Sequence, residues 1–171
     1  MLSVNSAPPT TNTTKRVLMQ HGDKHWSDDV EIFSSGAIIV RMEHKSFRYL
    51  LLKAYNFWDF PKGQVEQGES ALDATMREVQ EETTITDLNF RWGLDFYQTP
   101  AYFKGKKIAR YYLAETQQNE ITLPINPELG HPEHNDWIWA TRAQALRLVT
   151  PRVREAIYWS DLFLAHDQRI L

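Results

Sequence analysis

Glu78, Glu81 and Glu82 are the residues of this chain whose type and spacing most directly suggest chemistry. On a helix, positions i, i+3 and i+4 are neighbours on one face, so a helix over residues 70–83 would group three carboxylates. Their repulsion is destabilising unless a cation offsets it, and Arg77 is the one base nearby in the helix. A divalent ion answers the problem, because hard cations such as Mg²⁺ favour oxygen ligands. The preceding loop, Lys62-Gly-Gln-Val-Glu66-Gln-Gly-Glu69, adds two acids, a lysine and glycines that let backbone approach a ligand. From Lys62 to Glu82 there are six acids against two bases, a balance of −4, while the whole chain carries only −3. The acidity is therefore local and reads as a metal site. Taken alone, an acidic helix of this kind reads more readily as a solvated face than as a metal site.

The spacing of the whole segment goes further. Gly63 is followed after five residues by Glu69, and after seven more by Arg77-Glu78. Val79 comes next, then one residue, Glu81-Glu82, and Ile85 two residues after Thr83. This pattern closely resembles the Nudix box, and the broader resemblance spans about Phe33 to His166. The resemblance implies an α/β fold of the Nudix type, an α/β/α sandwich around a mixed sheet. It implies an enzyme, a pyrophosphohydrolase acting on a nucleoside diphosphate linked to another group, with Mg²⁺ or Mn²⁺ as cofactor. The family's ligands and base map onto Glu78, Glu81 and Glu82, with the Gly63 carbonyl as a further metal contact. Arg77 joins the catalytic group by orienting these glutamates, and Glu69 supports it. One position departs from the pattern: Thr84 stands where the family usually has glycine. That glycine closes the helix, often with φ > 0, which strains a β-branched residue.

Outside the box, Phe60-Pro61-Lys62-Gly63 resembles the loop of asymmetric diadenosine tetraphosphate hydrolases, which also carry a tyrosine 16 to 18 residues beyond the box; Tyr102 lies 17 beyond Ile85. Tyr111 to Glu115 and Glu133 to Trp139 resemble that subfamily's later segments. The resemblance makes Glu133 an additional metal ligand or acid–base group. It makes Tyr102 and Trp137 a clamp on adenine, Lys62 a contact to the phosphate chain, and Lys104, Lys106 and Lys107 contacts to its far end. Diadenosine tetraphosphate would then yield ATP and AMP. Trp137 reads equally as a core residue and the lysines as a solvated turn, while His131 and His134 read as loop residues. Two other substrates stay open. Pro100, 15 residues past Ile85, matches a mark of ADP-ribose pyrophosphatases, and the Phe-Pro loop also suits removal of pyrophosphate from RNA 5′ ends. A non-catalytic nucleotide-sensing module is disfavoured, because all three glutamates and Arg77 are present.

These residues need a scaffold, and the chain is long enough for one. Its 171 residues, 42% hydrophobic and 24% charged, suit one globular domain. The absence of Cys excludes disulfides, thiolate zinc sites and a thiol nucleophile, and fits a reducing, cytoplasmic setting. No apolar run nears the ~18 residues that span a bilayer, and residues 1–16 lack the form of a secretory signal. The net charge argues against bulk nucleic-acid binding, and a small nucleotide is the partner that the resemblance implies. Residues 1–30 are expected to be a flexible tail and 31–171 the domain. Strands are expected at 36–40, 47–54, 58–60, 88–99, 107–116 and 137–140, with a loop over 119–134. The box helix should place Leu72, Met76, Val79 and Thr83 on the core and its three glutamates opposite, with Ser70 and Asp73 as a capping box. Thr141 with Gln144 can cap a short helix, and Thr150-Pro151 should open a last one running to about Asp167.

Overall fold

In the computed structural model, which describes residues 29–170, the scaffold is organised around one long strand. β1 (Ile32–Glu43) carries the run Gly36 to Val40, and its apolar residues serve both faces of a sheet. Ile38 and Val40 enter one buried cluster, while Ala37 and Ile39 enter the other. An uninterrupted β-branched run is what a strand covered on both sides requires. β2 (Ser46–Ala54) repeats the device: Tyr49 and Leu51 point one way, Leu50 and Leu52 the other.

The remaining elements are β3 (Phe57–Asp59), β4 (Lys62–Gln64), α1 (Ala71–Thr83), β5 (Phe96–Gln98), β6 (Lys107–Glu115), β7 (Ile125–Asn126), β8 (His131–Pro132), β9 (Asp136–Ala140), α2 (Arg142–Leu148) and α3 (Pro151–Leu164). β1 runs parallel to β6 over Ile32–Val40, and β6 pairs antiparallel with β5. On its other edge β1 changes partner, from β4 at Ser34–Gly36 to β2 at Val40–Glu43. β2 in turn pairs with β3 and β9. Val79 of α1 closes the cluster that holds Ala37 and Ile39, while Val153, Ala156 and Ile157 of α3 close the other, with Ala145 of α2. The result is the expected α/β/α sandwich with a mixed sheet. Among the described residues no helix is long and apolar enough to cross a membrane.

The opening between β4 and β2 is where Pro61 and Lys62 pass. The Ala37 N–H donates to the Pro61 carbonyl at 3.1 Å. A Cβ on Gly36 would lie 2.1 Å from that same oxygen, so only glycine fits there.

Several expectations are corrected. Residues 1–28 and Leu171 lie outside the described residues, and most of the expected tail lies with them. Of the expected strand at 88–99, only Phe96–Gln98 is strand, with one bridge from Asn89 to Glu115. Gly93 at φ 100° turns the chain between them. The expected loop at 119–134 contains the short β7–β8 pair, and the last helix stops at Leu164. On α1 the core stripe is rotated: Met76 is 41% exposed, while Ala74, Thr75, Val79, Glu82 and Thr83 are buried. Ser70 does cap α1 by accepting from the Asp73 N–H at 3.1 Å, but its hydroxyl also donates to the Asp73 carboxylate at 2.6 Å, so that side chain answers the hydroxyl. The Thr141–Gln144 capping box forms in full.

Candidate active site

α1 presents its acids to the β4 strand through one arginine. Arg77 donates to both oxygens of Glu69, from Nε at 2.8 Å and from Nη2 at 2.9 Å. Its Nη1 reaches Glu78 at 2.7 Å and Glu81 at 3.2 Å, and Nη2 also reaches the Gln64 carbonyl at 3.1 Å. The guanidinium fork fits a carboxylate with two parallel bonds, so Glu69 fixes Arg77 and Arg77 fixes Glu78. Those bonds lower both glutamate pKa values, but burial decides the outcome at Glu78. Hydrogen bonding from Arg77 pulls Glu69 below the usual range, whereas burial pushes Glu78 above it despite Arg77.

Gly63 lies directly against Glu78. A Cβ there would sit 2.0 Å from the Glu78 carboxyl carbon and 2.1 and 2.2 Å from its oxygens. The backbone of β4 therefore shares a crevice with that carboxylate, and no other residue type leaves room for both. Glu82 is deeper, with 6% of its surface exposed. It accepts the Lys62 backbone N–H at 3.1 Å. Burial, then the neighbouring Glu133 and Glu78, raise its pKa well above the carboxylate norm, with Lys62 opposing. Placing Glu82 opposite the core is thus corrected: it is buried between α1 and the Lys62 turn. His134, which sequence reasoning left as a loop residue, has Nδ1 3.8 Å from the Glu82 carboxylate, and burial lowers its pKa. Glu78, Glu81, Glu82, Glu133 and His134 line a cleft of about 560 Å³, whose far wall is built by Leu123 to Pro127 and Pro132. Glu81 and Glu133 are solvent-exposed. Among the described residues no three acidic or imidazole side chains close into a finished metal cage; Arg77 holds an oxygen of Glu78 and of Glu81.

Lys62 also faces away from α1. Its Nζ lies 3.3 Å from Asp59, which Arg152 approaches at 3.3 Å and to which the Tyr111 hydroxyl donates at 2.9 Å. Burial would raise the Asp59 pKa, but Lys62 and Arg152 outweigh it and hold the carboxyl low. The Lys62 ammonium is held protonated mainly by Asp59. The Arg152 guanidinium stands 4.2 Å from the centre of the Tyr102 ring. Asp59 and Arg152 carry no sequence signal, and Tyr111 carries one only as the first residue of the strand-like segment Tyr111 to Glu115; Arg152 lies 93 residues from Asp59, and no local pattern joins them.

The expected substrate residues are divided by the sheet. Tyr102 packs on the cluster under α3, and Trp137 on the cluster under α1. Trp137 pairs with Leu52, and the strand's two-residue period sends its ring to the α1 side. The two rings thus pack on opposite faces of the sheet. Of the three lysines, Lys106 is paired with Glu31 at 2.6 Å, Lys107 lies 4.9 Å over Phe103, and Lys104 is exposed at the turn.

A family model described as NUDIX domain matches residues 32–160. The asymmetrical bis(5′-nucleosyl)-tetraphosphatase of Caenorhabditis elegans is 32% identical over 120 residues, covering 67% of this chain and 83% of its own. The RNA pyrophosphohydrolase of Pelagibacter ubique is 30% identical over 118 residues, covering 61% and 72%. A crystal structure of a C. elegans Ap4A hydrolase binary complex superposes with a TM-score of 0.64 at 26% identity, covering 80% of this chain and 99% of that one.

Proposed function

The chain belongs to the Nudix family of pyrophosphohydrolases, and from that premise we propose that it hydrolyses a dinucleoside polyphosphate, diadenosine tetraphosphate, to ATP and AMP. The reading rests on Lys62, whose backbone touches Glu82 while its ammonium reaches the Asp59 side near Tyr102. A long anionic substrate needs such a link between cleaving carboxylates and a base-binding ring. The resemblance to asymmetrical tetraphosphatases supports the same choice.

The chain's own donors suit a divalent ion. The crevice at Gly63 that a Cβ would fill, the three glutamates of α1 and the exposed Glu133 are hard oxygen donors in one cleft. Gly63, Glu78, Glu81, Glu82 and Glu133 would hold Mg²⁺ or Mn²⁺. When bound, the metal neutralises phosphate charge and lowers the pKa of water. Glu78 or Glu133 accepts the proton of the attacking water, help typically worth about 10²- to 10⁴-fold. Arg77, itself fixed by Glu69, holds Glu78 for that task. Lys62 binds the phosphate chain, Lys104 and Lys107 its far end, and Tyr102 stacks on adenine. Trp137 packs on the cluster that α1 covers.

The test is a substrate panel with Mg²⁺ or with EDTA: diadenosine tetraphosphate, ADP-ribose, dNTPs and triphosphorylated RNA. Diadenosine tetraphosphate should turn over fastest, giving ATP and AMP only with metal. Dominant hydrolysis of ADP-ribose would overturn the substrate. Dominant release of pyrophosphate from RNA would favour the second reading, which the similarity to an RNA pyrophosphohydrolase supports.

A further inference from the structure

Tyr102 sits in an exposed turn, with its ring half-buried against the edge of the cluster under α3. Phe103, Lys104 and Gly105 follow it with φ of 51°, 58° and 80°, and Phe103 and Lys104 are exposed. The backbone of Tyr102 is fixed by exchanged hydrogen bonds with Lys107, at 2.8 and 3.1 Å. The ring is fixed from elsewhere. Arg152, in the first turn of α3, lays its guanidinium 4.2 Å from the ring centre. Arg152 is in turn held by Asp59 at 3.3 Å and by the Tyr111 hydroxyl at 3.4 Å, and Tyr111 is fully buried in the core. A chain of contacts thus runs from the core to a surface ring.

We infer that Arg152 is a positioning residue for nucleotide binding: it occupies one face of Tyr102, fixes the ring, and leaves the opposite face as the platform for a nucleobase. The inference rests on the assignment of Tyr102 as the base-binding ring. A cation attracted to one face of an aromatic ring restricts its rotation, and a ring already ordered loses less entropy when a base stacks on it. Asp59 neutralises one of its two cations, Lys62 and Arg152, so the corner keeps a net positive charge suited to the phosphates next to that base. Arg152 acts through Tyr102, and its effect should therefore disappear when the ring is gone.

The experiment is a double-mutant cycle read by calorimetric titration of ATP in EDTA, where turnover plays no part, on the full chain and its Arg152→Ala, Tyr102→Ala and doubly substituted forms. Arg152→Ala should weaken ATP binding about 2- to 30-fold, the range of one cation–π contact. In the Tyr102→Ala background the same change should cost less than about twofold, since coupled residues lose their interaction only once. With diadenosine tetraphosphate and Mg²⁺, Arg152→Ala should raise KM more than it lowers kcat. If Arg152→Ala does not stay folded, Arg152→Lys, which keeps a cation for Asp59, takes its place in the cycle. An equal loss of ATP binding in both backgrounds would overturn the inference, because Arg152 would then touch the ligand itself. No loss, or no ATP binding by the unsubstituted chain, would also overturn it. If the cycle shows coupling while ADP-ribose dominates the substrate panel, the platform stands and only the substrate changes.

Discussion

Replacing Gly63 by alanine separates site geometry from stability more cleanly than removing a carboxylate. An alanine Cβ would lie 2.1 and 2.2 Å from the Glu78 oxygens, whereas ordinary contact begins at 3.4 Å. Opening the shorter contact to 3.4 Å moves the carboxylate by about 1.3 Å. The clash is with the end of a side chain, so backbone need not shift, and Gly63 lies in β4 without a positive φ that alanine would resist. Alanine also reduces the freedom of the unfolded chain, worth about 0.4–1 kcal/mol where the backbone permits it. The melting temperature should therefore stay within about 3 °C of the parent. Turnover should not. A displacement of about 1 Å at a reacting group costs on the order of 10²-fold, or roughly 2.7 kcal/mol in the barrier. The assay is kcat with Mg²⁺ on the substrate the panel selects, beside a thermal melt. A variant that melts like the parent and keeps kcat within about threefold would refute the claim that the bare backbone at Gly63 makes room for Glu78.

Three further substitutions test neighbouring points. Thr84 closes α1 at φ 62°, with its N–H donating to the Gln80 carbonyl at 2.9 Å. Thr84→Gly should relieve left-handed strain of roughly 1–2 kcal/mol, less the ~0.5–1 kcal/mol entropic cost of glycine. It should leave activity intact and the melting temperature equal or slightly higher; a clear fall would refute the strain. Glu82 has a folded pKa raised above its unfolded value, so its contribution to stability is fullest below the unfolded pKa and is lost as pH rises through the folded one. In EDTA at pH 8, Glu82→Gln should therefore melt a few degrees above the parent, yet show no thermal shift with Mg²⁺ and no turnover; a variant of full activity would sink its metal role. Lys62→Met removes the ammonium beside Asp59 but keeps the backbone N–H on Glu82. It should raise KM about tenfold or more, as loss of a charged hydrogen bond does, and leave the Mg²⁺ thermal shift in place; an unchanged KM would remove Lys62 from substrate binding.

The parts of the fold legible in sequence were those where one physical requirement dominated. Gly36 to Val40 suits a buried strand and forms one, and Thr141 with Gln144 formed the cap their types allow. Residues 88–99 misled because their apolar side chains serve ring packing instead of a ladder. Phe90 meets Tyr112 edge-on at 6.3 Å, and Trp92 meets Phe47 at 5.7 Å, with the chain turning at Gly93 between Trp92 and β5. On α1, hydrophobicity selected Met76 for the core, but polar bonding decided the rotation. Thr75 is buried because its hydroxyl bonds Ser35 at 2.8 Å and donates to the Ala71 carbonyl at 2.9 Å, and Glu82 because the Lys62 N–H answers it.

The site divides along the same line. Gly63, Glu69, Arg77, Glu78 and Glu82 lie within one short segment, so a fixed spacing can encode a strand backbone, a helix face and the arginine between them. The corner opposite is built from residues that meet only after the sheet forms: Asp59 at the end of β3, Tyr111 in β6, Arg152 on α3. Nothing local in the sequence marks these as partners, and each is ordinary on its own. Trp137 shows the converse. Its place near Glu133 in sequence suggested a partner for Tyr102, yet its pairing with Leu52 turns it to the other face of the sheet. Sequence proximity gives which strand a side chain leaves from; register decides which half of the site it can serve. Lys62 belongs to both halves, because its N–H meets Glu82 and its ammonium meets Asp59 across the gap where β1 changes partner. A ligand that engaged the carboxylates and Tyr102 together would have to cross that gap past Lys62, which is why charge at this one position should govern affinity.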